Sequence, residues 1–387
     1  MKLKSTNSLF LNFFIRQFSL GMYSLFGPLF VASLFGFSSK GLLISALFYM
    51  TQRIILIVFT VPAGKIVEKL GFRRSMFLST VFLALHYLCL YFSQHNTLFL
   101  IIAAAFGGLL VSLYWIPYHL IVSEDSEDAL FGKEVTSLLL ISRFAEILSP
   151  ALGGLIIVKF GYTVLFSFSI IMIIISFLPL AFMEHHTVHK SFSFSEIILG
   201  IGSSKRRLQW LSFFSAGVHD TVENFIWVFV MIGILNGVAI LGFVRSFSMV
   251  LMSIAVYITG KYIDRTKRAG DVLVASSRVD ALFWIGRFFI ETTRVLLIGE
   301  FVIRILRGIL WSPFDAITYH RARNSEQGAF FFILRREVVI NDGRIFALLL
   351  AIMFILLEIN LKYGVFVGAV AAFSLALPKS KWWTRGE

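Results

Sequence analysis

The feature that most restricts this chain is a succession of apolar runs of about 20 residues, each long enough to cross a bilayer core about 30 Å thick. Runs of that length read as membrane-spanning helices. They are expected near 8–34, 41–62, 75–94, 97–122, 132–158 and 162–183, then near 208–234, 238–260, 272–291, 294–318, 330–357 and 360–378. Composition agrees. The chain is 58% hydrophobic and only 15% charged, with a mean hydropathy of +0.84, well outside globular norms.

A net charge of +13 would suggest nucleic acid only if its distribution were ignored. Lys2 and Lys4, Lys65 to Arg74, Lys205 to Arg207, Lys261 to Arg268, Arg321 with Arg323, and Lys379 with Lys381 all fall in alternate loops. The opposite loops offer mainly Lys40, Lys159, Arg294 and Lys362. This positive-inside pattern predicts a multi-pass protein of the cell (inner) membrane with both termini cytoplasmic. The apolar run from Ser8 to about Gly36 is too long for a signal-peptide core, so it reads as an uncleaved first helix. Cys89 is the single cysteine and cannot form an intrachain disulfide. No Cys/His cluster has metal-ligand spacing, and no G-x-x-x-x-G-K-[ST] loop is present. Neither metal nor cofactor is expected, and ATP is excluded as the direct energy source.

Two motifs recur in one register. Gly64-Lys65-Ile66-Val67-Glu68-Lys69-Leu70-Gly71-Phe72-Arg73-Arg74 reads as a tight, charged turn between two spans. Gly260-Lys261-Tyr262-Ile263-Asp264-Arg265-Thr266-Lys267-Arg268 repeats its order, and 260 − 64 = 196. Trp115-Ile116-Pro117 matches Trp311-Ser312-Pro313 at the same offset, since 311 − 115 = 196. Two unrelated motifs in one register make the chain two halves of one design. The expected division is a six-helix bundle over 1–184, a cytoplasmic connector over 185–207 and a second six-helix bundle over 208–387. The histidines at 185, 186 and 189 in the connector read as solvated linker, as does the acidic run Glu124, Asp125, Glu127 and Asp128.

The first of these stretches resembles the signature loop of the major facilitator superfamily, Gly-x-x-x-acid-base-x-Gly-x-Arg-Arg. It falls here on Gly64, Glu68, Lys69, Gly71, Arg73 and Arg74, with a degenerate copy on Gly260, Asp264 and Arg265. Glu68 stands where Asp is usual, and the second copy lacks the later glycine. The resemblance implies an all-α integral membrane protein, with twelve transmembrane helices in two pseudo-symmetric six-helix bundles. It implies a secondary transporter, expected to be a monomer, whose signature loops gate the cytoplasmic side. Ser149-Pro150-Ala151-Leu152-Gly153-Gly154 also resembles the end of a motif found in antiporter branches.

Charges inside spanning helices are candidate functional groups by default. Glu300, Arg304, Arg307, Trp311 and Asp315 form one helical stripe, at about 100° per residue. Asp220, Glu223 and Trp227 form another, and Ser112, Trp115 and His119 a third. Arg143 and Glu146 are spaced as an intrahelical pair. Arg53 lies about 16 Å up its helix from Gly64, and Arg16 sits in the first helix. Helices one, four, seven and ten line the cavity in the proteins this chain resembles. Arg16, Arg53, Trp115, His119, Arg143, Trp227, Arg304, Arg307, Trp311 and Asp315 are therefore the cavity candidates. Asp280, Trp284, Arg287 and Glu291 make a further stripe on helix nine, which the resemblance would turn toward lipid.

The reading is a secondary active transporter of a small solute, embedded in the lipid bilayer, with proton coupling as the default. Asp220 and Glu223 are the first coupling candidates, followed by Glu146 and Glu300. Asp220 and Arg304 are expected at similar depth, roughly 18 Å and 15 Å along their helices. That depth suggests a switch in which the acid either protonates or meets a cation. Export of an amphipathic compound leads, on the Ser149–Gly154 element. Import of a polar or anionic nutrient follows, on the buried arginines. A non-transporting scaffold or receptor is a third reading. An enzyme is not expected, because no nucleophile, metal or cofactor constellation is present, and nucleic acid is not an expected partner.

Overall fold

A chain in hydrocarbon must satisfy its own backbone, and helices do so within one segment. The computed structural model describes residues 2–124, 129–183, 207–325 and 328–376, with the side chains of 2–7 and 122–142 outside that description. Among the described residues there are helices and turns and no strands. The expected connector, apart from Arg207, and the acidic residues Asp125, Glu127 and Asp128 lie outside the described residues. The chain divides into two compact units, Met1–Glu196 and Ile197–Glu387.

The first unit contains α1 (Lys2–Ser24), α2 (Gly27–Ser33), α3 (Ser39–Ser93), α4 (Phe99–Glu124), α5 (Ala129–Ile175) and α6 (Phe177–Ala181). At about 1.5 Å per residue, α3 is long enough for two crossings. It breaks at one residue, Gly71, whose φ of 77° and ψ of 169° are open essentially to glycine alone. The eleven-residue turn expected over 64–74 is thus corrected. The helix continues through Gly64 to Leu70, and a single glycine makes the turn. A second glycine, Gly161, breaks α5 with φ 79° and ψ 176°. Tyr23, Phe30, Tyr87 and Phe166 lie in the buried aromatic core of this unit.

The second unit starts with α7 (Arg207–Thr221), a π-helical turn (Val222–Ile226) and α8 (Trp227–Leu235). Then come α9 (Val238–Thr266), α10 (Ala269–Gly286) with a short 3-10 turn (Arg287–Phe289), and α11 (Thr293–Arg323). The last elements are α12 (Ala329–Leu356) and α13 (Gly364–Leu375), with the 3-10 turn Leu361–Tyr363 between them. Helix nine therefore ends earlier than expected, which leaves Glu291 beyond it. α9 and α10 pack on α11, α12 packs on α7, and α13 packs on α10 and α7. Gly217 and Gly343 let the α7 and α12 backbones approach closely. A methyl group on Gly217 would collide with the Ile340 carbonyl, and one on Gly343 with that of Phe214.

Divided at Gly71 and Gly161, and joined across the short interruptions after α1, after α5 and at the π turn, the described helices form six segments in each unit, consistent with twelve. Among the described residues, six helices are long and apolar enough to cross a membrane. α10 and α11 are not among those six; both carry charged stripes, and those stripes assemble the site.

Candidate functional site

The centre of the second unit is a carboxylate enclosed by guanidiniums. Glu223 lies in the π-helical turn and is completely buried. A π turn inserts an extra residue into the ladder and re-aims the side chains around it, which is why such turns recur at functional sites. Here it turns Glu223 toward α9, α10 and α11. Arg287 Nη1 donates to Glu223 Oε2 at 2.5 Å, and Arg304 Nη2 donates to Glu223 Oε1. Arg307 Nη1 is 3.2 Å and Arg245 Nη1 3.8 Å from that same Oε1.

Glu300 anchors the other side of the network. Its Oε1 accepts from Trp227 Nε1 at 2.6 Å and from Arg287 Nη2 at 3.3 Å. Its Oε2 lies 3.6 Å from Arg304 Nη2. Arg287 is further held over the rings of Trp284 and Trp227, 4.0 and 4.7 Å from their centroids. Six charged side chains are thus withdrawn from solvent together, none more than 8% exposed. Burial on this scale is tolerable only when each charge meets its opposite, and removing one partner strands the others.

A second buried pair adjoins the network. His219 on α7 places Nε2 2.7 Å from Asp280 Oδ2 on α10, and both side chains are at most 1% exposed. Trp284 Nε1 is 3.0 Å from the same histidine nitrogen. One nitrogen cannot satisfy both neighbours. If Nε2 carries the proton, it donates to Asp280 and offers the indole no lone pair. If Asp280 carries the proton, carboxyl and indole compete for one lone pair. His219 Nδ1 and Asp280 Oδ1 are buried with no partner among the described residues. Orphaned polar atoms of this kind call for an explanation.

The helix-nine stripe is resolved by this arrangement. Asp280, Trp284 and Arg287 face inward and are buried, whereas Glu291 is exposed, 3.8 Å from Lys362. Of the α11 stripe, Glu300, Arg304 and Arg307 join the network. Trp311 turns its ring to 6.0 Å from that of His219, and Asp315 is exposed. Asp220 and Glu223 do not act as one face. Asp220 is half-buried and bonds Arg344 of α12 at 3.1 Å and Asn224 at 2.7 Å. Arg304, the cation expected at its depth, is bonded to Glu223.

In the first unit the candidates are more dispersed. Arg16 is buried, donates to Ser79 Oγ at 3.1 Å and Thr80 Oγ1 at 3.4 Å, and lies 4.0 Å from the Tyr114 ring centroid. Arg143 bonds Glu146 at 2.7 Å, the intrahelical pair that the spacing suggested. Trp115 stacks on His119 at 5.4 Å. Arg53 is half-buried on α3. Of the signature loops, Gly64 and Gly71 are buried, Glu68 is half-buried, and Lys69, Arg73 and Arg74 are exposed, with Arg73 reaching the Met183 carbonyl at 3.3 Å. Gly260 is half-buried, and Asp264 and Arg265 are exposed near the end of α9.

Arg245 and His219 are the site residues that reading the sequence passed over. Arg245 stands alone in the apolar run Val244-Arg245-Ser246-Phe247, where a lone charge in a spanning helix was itself the signal. His219 precedes Asp220 and lies off its stripe, so no period marks it.

Comparison with known proteins agrees with the fold. The sequence profile of the Major Facilitator Superfamily matches residues 9–335. An uncharacterized protein of Bacillus subtilis (strain 168), YqgE, is 22% identical over 311 residues, covering 76% of this chain and 70% of that protein. The D-xylose-proton symporter crystal structure superposes with a TM-score of 0.71 at 13% identity, over 99% of this chain and 98% of that one. The E. coli fucose:proton symporter gives 0.67 at 14% identity, over 97% of each chain.

Proposed function

Because the chain belongs to the major facilitator superfamily, we propose that it is a proton-coupled secondary transporter that carries a small solute across the membrane by alternating access. Members of this family are transporters rather than enzymes. The coupling proton is assigned to the second unit, and the observation that supports this is the buried His219–Asp280 pair, 2.7 Å apart. The Trp284 indole N–H donates toward the same histidine nitrogen, and Trp284 in turn packs on Arg287 of the network. Gain or loss of a proton there changes the charge beside four arginines.

Glu223 is the weaker carrier of the two. Its carboxylate lies within 4 Å of four guanidiniums and serves as their shared partner. Asp220, half-buried and paired with Arg344, is a second titratable group on the same helix and a route by which the proton reaches solvent. The two fold neighbours described above are proton symporters, in keeping with this reading.

Export of an amphipathic compound and import of an anionic nutrient are both compatible with the fold. The concentration of arginines favours the anionic solute. The test is a proteoliposome assay with a trapped pH dye, challenged with pools of small metabolites. The expected result is a pool whose addition changes the lumenal pH only in vesicles containing the protein. Solute uptake with no accompanying pH change would remove the proton from the account.

A further inference from the structure

The charges of the network do not balance. Arg245, Arg287, Arg304 and Arg307 supply four positive charges against two negative ones from Glu223 and Glu300, and 4 − 2 = +2. Counting the adjoining His219–Asp280 pair lowers the sum to +1 if the imidazole is neutral and leaves it at +2 if the imidazole is charged. The sum is positive in either case, in a region where an uncompensated charge is costly.

The surplus can be located. Arg287 and Arg304 are bonded to Glu223, and Arg287 also to Glu300. The guanidiniums of Arg245 and Arg307 make no hydrogen bond among the described residues. Each only approaches Glu223 Oε1, an oxygen already bonded to Arg304. Among the described residues the Nε atoms of Arg287, Arg304 and Arg307 are all buried without an acceptor, and so is Trp311 Nε1, one turn from Arg307 along the same face of α11. The two arginines keep 8% and 6% of their surface accessible, more than Arg287 at 1% or Arg304 at 2%. Gly308 draws α9 and α11 together beside them, since a methyl group there would meet the Met252 carbonyl at 2.7 Å.

We propose that Arg245 and Arg307 form a seat for the anionic group of the transported solute, a carboxylate or a phosphate. Both oxyanions match the forked donors of a guanidinium, and binding one brings the network toward neutrality. The seat rests on the transport reading for its role in the cycle, but its existence can be measured without transport.

The experiment is thermal unfolding of the full chain in a neutral detergent. The probes are inorganic phosphate and succinate, each compared with chloride at equal ionic strength. The expected result is a Tm that rises with the logarithm of at least one probe's concentration. Arg245→Gln with Arg307→Gln should abolish that rise, and either change alone should raise the Tm without anion by relieving buried repulsion. Should the double variant fail to fold, Arg245→Lys keeps the charge and loses the fork, and should weaken the response about tenfold. A flat wild-type response to both probes overturns the proposal. So does an undiminished response in the double variant.

A lipid phosphate presents the same chemistry. Repeating the titration in phosphatidylcholine nanodiscs with added phosphatidylglycerol separates the sources. A response suppressed by phosphatidylglycerol would assign the seat to lipid and overturn its assignment to the solute. Anion stabilisation without solute-driven pH change refutes proton coupling and leaves the seat intact. Solute-driven pH change beside a flat titration does the opposite.

Discussion

Gly71 and Lys267 hold equivalent positions in the two units, since 71 + 196 = 267, and both adopt a positive φ, 77° and 56°. The offset found between sequence motifs is therefore also an offset between backbone turns. Gly71 breaks α3 with an extended ψ of 169°, while Lys267 ends α9 as a left-handed cap with ψ 26°. The two substitutions Gly71→Ala and Lys267→Gly should then act in opposite directions. The alanine is expected to cost about 1–3 kcal/mol, and the glycine to be neutral or stabilising by up to about 1 kcal/mol. Thermal unfolding in detergent measures both, and a tolerated Gly71→Ala would show that the turn can be made another way.

Glu223→Gln leaves four guanidiniums facing Glu300 alone, 4 − 1 = +3. Loss of about 3–5 kcal/mol is expected, by the cost of stranding buried charges. Poor recovery of folded protein, restored in part when Arg245→Gln is added, is the signature in size-exclusion chromatography. A Glu223→Gln variant as stable as the wild type would mean that the guanidiniums are already neutralised by something other than Glu223.

Asp220→Asn should behave differently although it lies only three residues away. Its partner Arg344 is 22% exposed and Asp220 itself 31%. A pair so placed contributes about 0–1 kcal/mol, so expression and Tm should stay near wild type. A collapse in stability comparable to that of Glu223→Gln would show that the π turn does not separate the two acids.

The positive-inside pattern predicts the orientation. With Cys89 replaced, cysteines introduced at position 40 or 362 should react with an impermeant thiol reagent outside intact cells, and cysteines at 205 or 267 should not. Reversed labelling would invert the topology.

Much of this architecture was legible in the sequence because hydrophobic length and repeated motifs are local signals. The stripe of Glu300, Arg304 and Arg307 came from helical periodicity, and the structure brings those three together. Periodicity failed where the helix itself departs from its period. A constant turn angle put Asp220, Glu223 and Trp227 on one face, but the π turn over 222–226 leaves Asp220 with Arg344 while Glu223 and Trp227 enter the network. The stripe on α10 was visible, and its inward packing was not, because which neighbour a face meets is decided by tertiary contacts. Arg245 went unnoticed since its only mark was isolation among apolar residues.

The most direct test concerns the pair at the heart of the coupling account. Asp280→Asn preserves size and a polar contact with His219, yet removes the carboxylate's charge and its ability to take the proton. The measurement is the solute-evoked pH change in proteoliposomes, with the metabolite pool that gives the largest wild-type signal, alongside counterflow of the same solute. The account predicts that Asp280→Asn retains counterflow and lowers the pH signal at least about tenfold, a barrier difference of about 1.4 kcal/mol or more. A pH signal of wild-type size from folded Asp280→Asn protein would contradict it.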